Sequence, residues 1–120
     1  MNQNQIRSLN FHFDKKIDLT PALLLKEKGD FRGAVAAYER SIANYPVTDR
    51  YHLNETMNNL GTAHYELGNF REAKEAWEKA LILLPSDAMV RKNLWKCIYM
   101  NPTLPENLRA ISPFVARFFR

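Results

Sequence analysis

The chain of 120 residues contains an internal repeat, and a repeat constrains the fold strongly because each copy must pack on the next. Residues 29–46 align without a gap on residues 68–85, at a constant offset of 39 residues. The two copies share Gly, Phe, Arg, two Ala, Glu and a final Pro, and Tyr38 in one corresponds to Trp77 in the other. The sequence therefore predicts a single domain built from similar stacked units.

Each copy has the pattern of a helix that follows a tight turn. Gly68 is predicted to take the left-handed backbone that ends one helix, and Asn69 to cap the next helix with Glu72 as its capping-box partner. In the first copy Gly33 replaces that acidic partner of Asp30, so the first cap is predicted to be the weaker one. Apolar and small residues of the second copy recur at helical spacing: Phe70, Ala73, Trp77, Ala80, Leu81 and Leu84.

A longer helix is predicted before Gly68, capped by Thr48 or Asp49 and running for about 18 residues. Its apolar stripe, with a packed histidine, steps by four and three residues: Leu53, Met57, Leu60, His64 and Leu67. The first copy has only a short helix in front of it, at about 21–28, with Thr20 as cap and Pro21 at the first helical position. Two helices joined by a Gly-containing turn form an antiparallel hairpin.

A third unit begins at Ser86-Asp87 with a helix predicted to reach about Met100. Its inner stripe consists of Val90, Leu94, Cys97 and Ile98. Two short helical stretches, at about 106–111 and 113–119, are predicted to cap the end of the array. Residues 1–14 form an N-terminal extension whose spacing fits either a strand or a helix that packs over the first hairpin.

The pair Leu60-Gly61, followed by Ala73, Trp77, Ala80 and Pro85, resembles the tetratricopeptide repeat, whose unit is 34 residues. Residues 54–87 match a full unit, residues 15–48 match only in their second half, and residues 88–120 give a partial unit with a cap. His64 departs from the aromatic residue usual at its position. The resemblance implies an all-α fold: antiparallel helix-turn-helix repeats stacked as a short right-handed superhelix, an α-α solenoid, with a divergent C-terminal capping helix.

Composition bears on compartment and partners. Cys97 is the only cysteine, which excludes an internal disulfide and fits a reducing environment. No apolar run approaches the roughly 20 residues that span a bilayer, so the predicted location is the cytoplasm. The net charge is +4, and residues 91–120 carry six basic residues against Glu106 alone, so any electrostatic preference is expected at that end.

The sequence offers no catalytic constellation, and we predict neither an enzyme nor a cofactor or metal site. His12, His52 and His64 are spaced unlike metal ligands, and no glycine-rich phosphate loop is present. Four glutamates have the pattern of solvated surface carboxylates: Glu27, Glu66, Glu72 and Glu78.

The resemblance implies that first-helix positions line a concave groove for another protein or an extended peptide. The predicted groove residues are Glu55, Asn58, Asn59, Thr62, Tyr65, Glu66, Lys92, Asn93 and Lys96, with Met89, Tyr99 and Met100 also at groove positions. Lys92 and Lys96 could attract an acidic ligand. The alternative that these residues are simply solvated helix positions stays open. A carboxylate clamp known in some family members is not expected, because only Asn59 matches it, whereas Leu19, Leu23, Met89 and Asn93 do not.

A second hypothesis is a homo-oligomeric structural module assembled through C-terminal aromatic residues. The candidates are Trp95, Tyr99, Phe114, Phe118 and Phe119. They could cover the apolar third unit within the chain or across a homodimer. Nucleic-acid and membrane binding are disfavoured, because the aromatic C-terminal stretch has only about two helical turns and two arginines.

Overall fold

Five helices follow one another along the chain in the computed structural model, which describes residues 20–44, 49–101 and 106. They are α1 Thr20–Glu27, α2 Phe31–Ala43, α3 Arg50–Glu66, α4 Phe70–Leu83 and α5 Ala88–Tyr99. Each packs on the next, most extensively α3 on α4. Within the described ranges all regular structure is helical and no strand is present. The predicted all-α helical repeat is confirmed.

Both hairpin turns use glycine in the left-handed region, with φ of 81° at Gly29 and 79° at Gly68. The amide of Gly68 donates to the carbonyl of Tyr65, and the amide of Asn69 donates to that of His64. Gly29 and Asp30 form the same two bonds with Lys26 and Leu25. This pair of bonds satisfies carbonyls at the end of the helix and turns the chain sharply, so each hairpin is closed in the predicted way.

The predicted side-chain cap at Asn69 is wrong, although the sequence favoured it over the cap at Asp30. Asp30 accepts a hydrogen bond from the amide of Gly33 at 2.9 Å, whereas Asn69 makes no side-chain cap bond. The Asn69 amide group lies 3.3 Å from His64 Nδ1 instead. A capping box with Glu72 is also blocked, because the backbone N–H of Asn69 is already donated to the His64 carbonyl.

The other helix boundaries agree closely with the sequence. Asp49 accepts from the amide of His52 and caps α3, and Asp87 accepts from the amides of Met89 and Val90 and caps α5. The start of α1 is shifted by one residue, because Thr20, the predicted cap, is itself the first helical residue.

The apolar stripes form two large core clusters, both in contact with Met57, and a small third one of Leu53 with Ile42 and Leu83. One lies between α4 and α5 and contains Ala73, Trp77, Ala80, Leu81, Val90, Leu94, Cys97 and Ile98. The other joins α1 to α4 and contains Ala22, Ala34, Tyr38, Leu60, Ala63 and Ala76. His64 is buried, as the sequence predicted.

Gly61 lets α3 and α4 approach closely. A Cβ atom at this position would lie 2.6 Å from Nε1 of Trp77 and within 2.8 Å of two further ring atoms. A buried hydrogen bond reinforces the contact between the two helices, because Nδ2 of Asn54 donates to the carbonyl of Ala80 at 2.9 Å. The tryptophan and the glycine are therefore a matched pair.

The prediction that Glu78 is a solvated surface carboxylate is wrong. Glu78 is buried, and its Oε1 lies 2.9 Å from Nζ of Lys74. A carboxylate with so little exposure to water requires an internal partner. Glu27, Glu66 and Glu72 are exposed.

Several predictions fall on residues outside the described ranges: the N-terminal extension with His12 and Leu19, and the C-terminal stretches with Phe114, Phe118 and Phe119. No helix in the described part of the chain has the length and apolar character needed to cross a membrane.

Candidate functional site

The predicted groove residues of α3 form two groups, because Asn58 and Tyr65 contact neighbouring helices and the other four share a different side. Successive helical residues are rotated by about 100°, so Glu55, Asn59, Thr62 and Glu66 share one side of α3. Met57, Leu60 and His64 lie on the opposite side of the helix. We call the side that carries Asn59, together with the exposed Lys92 and Lys96 of α5, the α3–α5 face.

Asn58 joins α3 to its neighbours. Its Oδ1 accepts a hydrogen bond from Nδ2 of Asn93 at 3.0 Å, and its Nδ2 lies 3.9 Å from the sulfur of Met89. Its backbone carbonyl accepts from Nε1 of Trp77 at 3.2 Å. Asn58 therefore joins α3 to α4 through its backbone and to α5 through Asn93, so the side chains of Asn58 and Asn93 already have partners.

Tyr65 also packs within the molecule. Its ring centroid lies 5.3 Å from that of Phe70 and 5.9 Å from that of Trp77, in edge and tilted arrangements. Such pairs stabilise by about 0.5 to 1.5 kcal/mol beyond area burial. Tyr65 is half-buried, so only part of its ring faces solvent.

Besides its glutamates and Lys92, the α3–α5 face carries Asn59 and Thr62 from α3 and Lys96 from α5. Asn59 is half-buried, and its amide has no hydrogen-bond partner among the described residues. The hydroxyl of Thr62 donates to the carbonyl of Asn58 at 3.1 Å. Lys96 is exposed, one turn of α5 beyond Asn93. The side chains of Asn59 and Lys96 are therefore available to bond a ligand, whereas Thr62 already donates its hydroxyl hydrogen within α3.

Charge on this face is divided by helix. Glu55, in the second turn of α3, and Glu66, its last residue, are exposed, whereas Lys92 and Lys96 are exposed on α5. A ligand with a carboxylate would meet favourable charge on the α5 side and unfavourable charge near the α3 glutamates.

The outward side of α5 carries two of the predicted self-association residues. Trp95 and Tyr99 are 45% and 61% exposed, and their ring centroids are 5.6 Å apart. They lie opposite the buried stripe that contains Leu94. The structure brings this pair together, while the phenylalanines of the same prediction lie outside the described residues.

Two buried groups have shifted acidities. Burial raises the pKa of the Tyr38 phenol, and the carboxylate of Glu55 raises it further. The hydroxyl of Tyr38 has no hydrogen-bond partner in the structure. Burial also raises the pKa of the Cys97 thiol, against an opposing effect of Lys74, so this thiol resists ionisation.

A cleft on the other side of α3 was not anticipated. It has a volume of about 340 Å³, and α2 and α4 form its walls. Its lining residues are Glu39, Ile42, Ala43, Met57, Leu60, His64, Glu72, Glu75, Ala76 and Lys79. The spacing of Glu72, Glu75 and Lys79 at helical intervals shows that they share one side of α4, but the position of α2 opposite them is a tertiary feature.

Within the described ranges, no group of three or more His, Cys, Asp or Glu side chains is placed to hold a metal ion. His52 lies 2.7 Å from Asp49 through its Nδ1, beside the cap of α3. Both the backbone amide and the ring of His52 therefore contact the carboxylate that caps α3.

Comparison with known proteins gives two matches to family models, both described as tetratricopeptide repeat. One covers residues 19–55 and the other covers residues 55–87. Together they span the four helices from α1 to α4, more than half of the chain. No curated protein and no solved structure matches the chain at a significant level.

Proposed function

Because the chain belongs to the tetratricopeptide repeat family, whose repeats mediate protein–protein interactions, we propose that it binds an extended segment of another protein on its α3–α5 face. Such a chain acts as an adaptor or scaffold. Catalysis is not part of the proposal, since the family is a non-catalytic interaction module.

The observation that carries this proposal is the half-buried amide of Asn59, which lacks a partner among the described residues. An extended peptide has backbone N–H and C=O groups that need partners, because it forms no internal ladder of its own. An asparagine side chain supplies both a donor and an acceptor. Asn59 is therefore suited to hold a peptide backbone, whereas Asn58 and Asn93 hold each other.

Lys92 and Lys96 suggest the direction in which such a segment would lie. We propose that an acidic residue of the partner lies near α5 and away from Glu55 and Glu66. The single cysteine, a buried free thiol, is compatible with a reducing compartment, and we propose a cytoplasmic location.

A selection of peptides from a random display library on the purified chain tests this function. Selected peptides would then be measured against Asn59→Ala/Lys96→Ala, with Glu75→Ala as a control on the other side of the molecule. We expect the double substitution to weaken binding about tenfold, which corresponds to 1.4 kcal/mol. Equal affinity of wild type and the double variant would remove the α3–α5 face as the site.

The exposed Trp95 and Tyr99 pair favours a second candidate function, a homo-oligomeric module. Adjacent aromatic rings on an outward helix side are typical of an interaction surface. Sedimentation at two concentrations distinguishes the candidates. A discrete dimer that Trp95→Glu converts to a monomer supports self-association, and a monomer at high concentration contradicts it.

A further inference from the structure

We propose that the cleft between α2 and α4 is a second docking surface, which takes one arginine or lysine side chain, flanked by an apolar residue, from a partner protein. It lies on the side of α3 opposite Asn59. Its occupant would therefore not compete with a segment bound on the α3–α5 face. The proposal goes beyond the proposed function, because it adds a surface and a ligand chemistry that the repeat pattern does not imply.

The floor of the cleft suits the aliphatic part of a long side chain. Met57, Leu60 and Ile42 line it, and Ala76 leaves space on the α4 wall. Met57 and Ile42 are half-buried, so apolar surface remains in contact with solvent. Arginine and lysine bury their methylene stems on such surfaces while the charged head stays in a polar region. Methionine adapts its shape to different ligands.

The rim of the cleft is acidic. Glu39 stands on the α2 wall, and Glu72 and Glu75 stand on the α4 wall, against the single ammonium group of Lys79. The whole chain has a net charge of +4, so this local excess of carboxylates is opposite in sign to the average. A cationic head entering from solvent would meet carboxylates from both walls.

The three carboxylates of the cleft differ from Glu78 in their partners. None of the three forms an ion pair with a lysine or arginine among the described residues, and Glu39 reaches only His64 Nε2, at 3.9 Å. By contrast, Glu78 lies on α4 with Glu72 and Glu75, and it is paired with Lys74 at 2.9 Å. The carboxylate that packing buries is thus neutralised internally, whereas those around the cleft remain available to an external cation.

The experiment uses the isotopically labelled full chain and nuclear magnetic resonance. The probe is a synthetic peptide with a Leu-Arg-Leu core in a Gly/Ser frame, and its control carries Gln in place of Arg. We expect the arginine peptide to shift the amide signals of Ile42, His64 and Ala76, and to leave those of Asn59 and Lys96 unchanged. The glutamine peptide should bind about tenfold more weakly, because it lacks the charge-assisted bonds.

Two variants with equal changes in net charge localise the effect. Glu39→Gln/Glu75→Gln removes a carboxylate from each wall and should weaken the arginine peptide about fivefold or more. Glu55→Gln/Glu66→Gln removes two exposed carboxylates from the opposite side of α3 and should leave the affinity unchanged. Thermal melts of both variants show whether either substitution alters the fold.

Three results would overturn the proposal. One is the absence of shifts at the cleft at the highest peptide concentration, and another is an equal loss of affinity in the two double variants. The third concerns the chain's own basic tail as the occupant. If Arg117→Glu/Arg120→Glu shifts the Ile42 and Ala76 signals without peptide, and wild type does not respond to peptide, the cleft serves the tail. None of these results bears on Asn59, so the proposed function stands or fails separately.

Discussion

The two hairpins, α1–α2 and α3–α4, share a sequence pattern but use it with different partners. In the second hairpin, a first helix of 17 residues offers Gly61 to the ring of Trp77, and the indole N–H is bonded to the Asn58 carbonyl. In the first hairpin, a first helix of 8 residues offers Ala22, and the hydroxyl of Tyr38 is buried without a bond. The repeated residues thus determine where the two helices of a hairpin touch. The first helix of each hairpin determines whether the polar group of the buried aromatic residue has a hydrogen-bond partner.

At the helix caps that follow the two turns, the first hairpin is the better bonded of the two. The first hairpin has the side-chain cap at Asp30, and the second has none at Asn69. Gly33 helps the first cap, because a Cβ there would collide with the Asp30 carboxyl group. Neither hairpin is therefore a uniformly weaker copy of the other, and the difference can be measured position by position.

The largest expected effect separates the two cores. Leu81 is fully buried between α4 and α5, and Leu81→Ala should lower the free energy of unfolding by about 2 to 5 kcal/mol. The equivalent residue of the first hairpin is Ile42, which is half-buried beside the cleft. Ile42→Ala should cost less, about 1 to 2 kcal/mol, because less of its apolar surface is removed from water. Urea denaturation followed by circular dichroism measures both, and equal losses would contradict the comparison.

Gly61→Ala should destabilise the chain by about 1 to 2 kcal/mol. Alanine improves helix propensity by about 1 kcal/mol, but the clash with the buried Trp77 ring costs more. The equivalent position in α1 already has Ala22, packed in the cluster of Tyr38. There the reverse change, Ala22→Gly, should also destabilise.

A double variant tests the cause of the Gly61 effect. Trp77→Tyr in the Gly61→Ala background creates the pairing that the first hairpin has, so the two losses should be less than additive. Additive losses in thermal or urea unfolding would show that the Gly61–Trp77 contact is not what limits this position.

The cap comparison predicts a smaller difference. Asp30→Ala removes the bond to the Gly33 amide and should cost about 1 kcal/mol. Asn69→Ala removes no cap bond and should cost only a few tenths of a kcal/mol. Denaturant midpoints of the two variants decide the matter, and a larger loss at Asn69 would restore the order that the sequence suggested.

The smallest expected effect has the opposite sign. Tyr38→Phe removes a buried hydroxyl that has no partner, so it should leave stability unchanged or raise it by about 0.5 kcal/mol. Burial, and then Glu55, raises the folded-state pKa of Tyr38 above the unfolded value of 10.0. The unfolded chain therefore releases this proton first, and stability falls as pH rises past that value.

The phenylalanine variant should lose less stability than wild type between neutral pH and a pH above 10. Cys97 contributes in the same direction in both chains, so the difference isolates Tyr38. Parallel pH dependence in the two chains would show that the phenol is solvated in the folded state.

Much of the fold could be predicted because helical periodicity is a property of a single segment. The stripe Leu53, Leu60 and His64 is buried as expected, and the turns at Gly29 and Gly68 have the left-handed backbone that glycine allows. The predicted cap at Asn69 is absent because its side chain and its backbone N–H have other hydrogen-bond partners. The Asn69 side chain lies against His64, and its backbone N–H is used by the turn.

The site was less predictable, because its polar partners come from different helices. Asn58 and Asn59 are adjacent and chemically identical, yet one is bonded to Asn93 across two helices and the other is not. The burial of Glu78 and the cleft at Glu75 likewise depend on where neighbouring helices pack. No spacing within a single helix contains that information.

We propose that the α3–α5 face holds a segment of another protein. The most direct measurement is amide chemical-shift mapping of the labelled chain with a peptide obtained by display selection. If the partner segment lies on this face, we expect shifts at Asn59, Thr62 and Lys96, with the buried core signals unchanged. Shifts confined to the α5 aromatic pair, Trp95 and Tyr99, would contradict it.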